Sequence, residues 1–210
     1  MSFSGKAFVP MMLLLSCTVL STLSFAKGDT DFSNSGGTLT GTSDGLSLSG
    51  STLVAVIGWN GGALVTGNLG TVAFTTGALN GGSLANGGTF AAGGMFTVDG
   101  DGANGIPTGV LFSGSFSGTS TWVLVTLANG THNYTLTGVL SGTMGGQAVD
   151  GVTVQLTINT GKGYFDGSTT ISGGDTLVSA VPEPSTYALF GIGTLAVAGV
   201  VRRKALAARS

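Results

Sequence analysis

Cysteine is almost missing from this 210-residue chain: Cys17 is the only one, so no intramolecular disulfide and no thiolate cluster can be built from it. Charge is also scarce, with seven Lys or Arg and nine Asp or Glu, 8% of the residues. That excludes a charged disordered tail, and it leaves no basic surface for nucleic acid. There are four prolines, and the 39 glycines keep no three-residue period, which excludes a collagen-like chain. Between Lys27 and Val181 there is no glutamate, arginine or cysteine. Lys27 and Lys162 there face eight aspartates, Asp29, Asp31, Asp44, Asp99, Asp101, Asp150, Asp166 and Asp175. With a single histidine besides, few acid–base groups remain, so the expectation is that the protein is not an enzyme. Paired aspartates are the residual catalytic option.

What is present is sharply partitioned. Lys6 precedes the apolar stretch Ala7 to Leu23, and Ser24-Phe25-Ala26 then places small residues at −3 and −1 of a cut before Lys27. A positive start, an apolar run and a small-residue cleavage site predict a secretory signal peptide over 1–26, cleaved between Ala26 and Lys27. The expected partners are the Sec translocon and signal peptidase. A retained anchor is the alternative, and a lipid-modified Cys17 fits less well because the apolar run continues past it. A mature chain would then contain no cysteine.

Near the other end stand Val181-Pro182-Glu183-Pro184-Ser185-Thr186, then an uncharged run through Val201, then Arg202-Arg203-Lys204. The run from Ser185 to Val201 would span about 25 Å as a helix, at the lower end of what crosses a bilayer. The basic cluster would keep the tail, 205–210, on the cytoplasmic side. Pro182 and Pro184 hold the preceding strip out of the helix. The succession of VPEPST, short apolar helix and RRK resembles the PEP-CTERM sorting signal of Gram-negative bacteria. The resemblance covers only about residues 181–204. It implies recognition by an exosortase-type membrane protease, membrane insertion in transit, loss of the tail, and often an association with exopolysaccharide. It implies nothing about the domain that is carried.

That domain, 27–180, reads as all-β. Thr, Val and Ser are plentiful, helix formers are few, and Gly, Asn and Asp clusters recur at the spacing of strands in sandwiches and barrels. The expectation is an antiparallel β-sandwich of Greek-key type. The clearest strand is Val152–Asn159, whose alternation puts Val152, Val154, Leu156 and Ile158 on one face. Asn129-Gly130 suits a two-residue hairpin turn. That closure would pair Val125 with Tyr134 and Val123 with Leu136, placing all four in the core. Further strands are expected over 45–50, 52–59, 69–76, 88–98, 108–117 and 163–172. The region 60–94 is rich enough in Gly, Asn and Thr to suggest partial disorder or a loose extension, and Gly81-Gly82 and Gly93-Gly94 suggest bulges or loops.

The chemical inventory is thin. His132 sits two residues beyond the Asn129-Gly130 turn and reads as a half-exposed hairpin residue. Gly41-Thr-Ser43-Asp-Gly45 matches the nucleophile-elbow spacing, but a strand-like Leu46-Ser-Leu48 follows where a helix is needed. Gly191-Ile-Gly193 lies within the expected anchor helix, where its glycines suit close helix approach. Asp99-Gly-Asp101-Gly-Ala-Asn104-Gly alternates hard oxygens on a flexible turn, which suits Ca²⁺. Ala103 and Val110 stand at the fifth and twelfth positions, where that pattern wants ligands, so an ordinary acidic turn is the competing reading. No cofactor is expected apart from that ion. Trp59 and Trp122 read as core residues first and a sugar-stacking platform second. Two functions follow: a non-catalytic envelope or matrix protein, structural or exopolysaccharide-associated, or a carbohydrate- or calcium-binding surface module.

Overall fold

A computed structural model describes residues 29–178. The predicted signal peptide, sorting strip and anchor helix lie outside these residues. The described chain forms thirteen strands: β1 (Thr30–Ser35), β2 (Thr38–Thr42), β3 (Gly45–Ile57), β4 (Val65–Thr75), β5 (Leu79–Ser83), β6 (Gly87–Phe90), β7 (Gly93–Asp101), β8 (Thr108–Phe116), β9 (Ser120–Thr126), β10 (His132–Met144), β11 (Gln147–Asn159), β12 (Ser168–Thr170) and β13 (Gly173–Val178). The only helical segments among them are two three-residue 3₁₀ turns, Trp59–Gly61 and Ala103–Gly105, so no described helix is long and apolar enough to cross a membrane.

The all-β expectation is met, but the sheet is a single one. Hydrogen bonding runs β11-β13-β1-β3-β4-β7-β8-β10 and returns from β10 to β11, closing an eight-strand antiparallel ring. Closure removes the open edges that two separate sheets would present. Two strands fork. The first half of β3 pairs with β2 and the second with β1; the first half of β10 pairs with β9 and the second with β8. Two arms leave the ring there, β2-β12 and β9-β6-β5.

Period-2 alternation fills the interior. Phe32, Leu53, Val72, Phe74, Phe96, Val98, Phe112, Leu136, Val152, Val154, Leu156 and Ile158 are all buried there. Phe74 stacks on Phe96 at 5.7 Å between ring centroids, and Phe112 and Phe116 meet Phe96 edge-on. A second aromatic group forms where the arms cover the ring: Trp122 stacks on Tyr134 at 5.0 Å with Phe165 edge-on to Trp122. Trp122 Nε1 donates to the Leu84 carbonyl at 2.8 Å, and the Tyr134 hydroxyl donates to Ala85 O while accepting from the Phe165 N–H.

The β9–β10 hairpin corrects the sequence expectation. Its loop is longer than two residues: Leu127 N–H reaches Thr131 O at 2.8 Å, and Thr126 pairs with His132. Tyr134 therefore faces Leu124, and Leu136 faces Trp122. A one-residue slip exchanges the faces of a strand. Trp122 is buried, while Val123 and Val125 point outward at 49% and 48% exposure.

Residues 60–94, expected to be loose, instead build β4, β5 and β6. The glycine pairs there mark ladder irregularities, as expected, with register shifts between Leu79 and Gly81 and between Gly93 and Phe96. Of the strand expected over 163–172, only Ser168–Thr170 is strand; the rest is a strap that carries Tyr164 and Phe165.

Candidate functional site

The sequence singled out one turn for metal chemistry, and the structure places it between β7 and β8. Asp99 lies on β7 opposite Thr71 of β4, and Asp101 ends the strand. Asp101 Oδ1 accepts the Ala103 N–H at 2.9 Å, which fixes an Asx turn. Asn104 takes a left-handed backbone, φ 53°, and its amide donates to Thr66 O at 3.1 Å. One aspartate oxygen and the asparagine amide are thus engaged in holding the turn. Among the described residues, no three His, Cys, Asp or Glu side chains come together in a way that could hold a metal.

The other candidates are absorbed into packing. His132 is buried at 6% exposure, not half-exposed. The 160–164 strap covers it, with His132 Nδ1 3.1 Å from Gly163 O and the imidazole stacked on Tyr164 at 4.3 Å. Trp122 belongs to the interior, and Trp59 packs against Phe32 at 6.2 Å. Ser43 falls in the β2–β3 turn and is followed by strand β3, so the elbow geometry is missing.

A groove that the sequence did not reveal crosses the outer face of β9, β10, β11, β13 and β1. Two cross-strand rows line it. One runs Thr121, Thr137, Gln155, Asp175, and the other runs Val139, Thr153, Leu177, Asp31. The hollow has a volume of about 590 Å³. A second hollow of about 420 Å³ shares Gln155 and Asp175 with it and continues over Ser33 and Thr157. Thr121 and Thr137 share a hydrogen bond of 2.6 Å between their hydroxyls.

Asp31 and Asp175 lie 144 positions apart in sequence and become diagonal neighbours because β13 pairs with β1. Ile57 on β3 and Leu177 on β13 flank Asp31 directly. Partial burial raises the Asp31 carboxyl above the ordinary aspartate value, the Asp175 charge raises it further, and the Phe32 N–H acts in the opposite direction. Asp31 Oδ1 is buried and accepts no hydrogen bond. Only the eventual pairing of β1 with β13 creates this site; no motif or spacing marks it.

The sequence-predicted sorting residues Val181, Pro182, Glu183, Pro184, Ser185, Thr186, Arg202, Arg203 and Lys204, and the cleavage pair Ala26–Lys27, lie outside the described residues. β13, the last described strand, ends at Val178, three positions before Val181 in the sequence. Comparison with curated proteins and with solved structures finds no match for the chain. One family pattern does match, the PEP-CTERM protein-sorting motif, over residues 180–204. The chain therefore carries a PEP-CTERM sorting motif, the mark of an exported protein that passes through a membrane-anchored stage to an exosortase.

Proposed function

We propose that this is a non-catalytic protein of the cell envelope or extracellular matrix, exported through the Sec translocon, trimmed by signal peptidase and released by an exosortase. The single observation that carries the reading is the sorting motif at 180–204, joined almost directly to a closed β ring. Its structural or exopolysaccharide-associated role is supported by the scarcity of charge and the abundance of small hydroxylated residues. Lys162 is the one lysine or arginine among the described residues. The Asp99–Asp101–Asn104 turn is structural in this reading, with Ca²⁺ as an optional ligand and not a resident cofactor.

Processing is tested by mass spectrometry of the surface-released protein. The mature species should end near Val181–Ser185, having lost the expected anchor helix 185–201 and cluster 202–204. Glu183 is the acidic side chain of the strip, so it supplies the recognition charge. Glu183→Ala, or deletion of Arg202–Lys204, should leave a longer precursor in the membrane. A released species still ending at Ser210 would refute processing.

A further inference from the structure

We propose that the outer groove across β9, β10, β11, β13 and β1 binds an amine-bearing saccharide chain, with an ammonium group seated between Asp31 and Asp175 and ring hydroxyls along Thr121, Thr137 and Gln155. Charge selects the amine. The lining includes two carboxylates and no basic side chain. An acidic saccharide would add a third negative charge to a pair already in repulsion. An ammonium group lying between the two carboxylates opposes that repulsion. Ile57 and Leu177, directly opposite Asp31 on the flanking strands, place apolar side chains beside that end of the groove.

Shape selects the chain. Thr121, Thr137, Gln155 and Asp175 stand in register on four adjacent strands, about 4.8 Å apart. That spacing is close to the length of one hexose ring, so successive strands present a polar group to successive units. Threonine hydroxyls and a glutamine amide both donate and accept, as sugar hydroxyls require. Val139 and Leu177, 42% and 39% exposed in the neighbouring row, supply apolar surface for the C–H faces of the rings. The adjoining hollow over Ser33 and Thr157 extends the track beyond a single sugar. This inference is independent of the export route and stands or falls separately from it.

The test is calorimetric titration of the full-length protein in detergent at about pH 6, where an amino sugar carries a positive charge. The probes are hexamers of glucosamine, N-acetylglucosamine and galacturonate. The glucosamine hexamer should bind, and the other two should bind at least about tenfold more weakly, the difference expected from one charge-assisted contact. Asp175→Asn and Asp31→Asn should each weaken it by a similar factor, and Thr137→Val by less. Asp99→Asn, which removes the same charge elsewhere, should leave affinity unchanged. Thermal melts confirm that each variant is folded. Equal binding of the N-acetylated hexamer, no binding of the glucosamine hexamer, or full affinity in folded Asp175→Asn would each overturn the proposal.

Discussion

Asp31 shows how a single side chain can carry a strain that the chain tolerates. Its folded-state carboxyl titrates above the ordinary 3.8, first through burial and then through Asp175. A group whose pKa is raised by folding contributes stability while protonated, and that contribution is lost as pH rises through the folded value. Asn is neutral at every pH. Asp31→Asn should therefore raise the melting midpoint at pH 7, and the gain should vanish once the pH falls below the unfolded value of 3.8. Melts across that range check it; a gain independent of pH would show that charge is not its source. Residue-scale contrasts also test the corrected hairpin. Leu156→Asp should abolish folding, since it buries an unpaired charge in the ring, whereas Val125→Asp, on the outside, should stay within about 0.5 kcal/mol of the parent. Trp122→Ala should cost about 3–5 kcal/mol through lost packing in the covered aromatic group.

Among the elements, strands with clean alternation were legible in the sequence. Val152–Asn159 lies within β11 with the predicted face inward, and β4 and β8 fall close to their expected spans. β9 was misread because Asn129-Gly130 suggests a two-residue turn, while the actual loop adds residues and reverses the faces. Only tertiary packing decides between those registers: one buries Trp122, the other buries two valines. β1, β2, β5 and β13 carry too few apolar residues to announce themselves, and they exist because neighbours pair with them. The groove was illegible for the same reason, since Asp31 and Asp175 meet only through β1 and β13. Glycine has a positional meaning in β4. A Cβ on Gly70, where φ is 145°, would sit 1.9 Å from Asp99 O. Gly70→Ala should therefore force β4 from β7 and cost more than about 2 kcal/mol in denaturant melts. Gly118→Ala, with open space around its Cβ, is the matched control. The β7–β8 turn is checked by calcium titration. The melting midpoint should not rise with Ca²⁺ in the parent; a rise abolished by the paired Asp99→Asn and Asp101→Asn changes would instead make the turn a calcium site.

At the scale of the whole molecule, the ring is closed late in the chain. β13 lies between β1, the first described strand, and β11, so the ends of the described chain are bonded side by side. Removing 173–178 should eliminate the cooperative melt, because it strips both neighbours of a shared partner and uncovers Phe32, Val154 and Leu156. This late closure bears on the order of events during synthesis and export. The N-terminal strand waits, unpaired on one side, until nearly the whole domain has emerged. The same few residues that complete the ring lead straight into the motif that the sorting protease reads. A message cut short or a ribosome that stalls thus loses the address label together with the fold. A copy truncated before residue 173 therefore lacks both the closing strand and the sorting motif that follows it in the sequence.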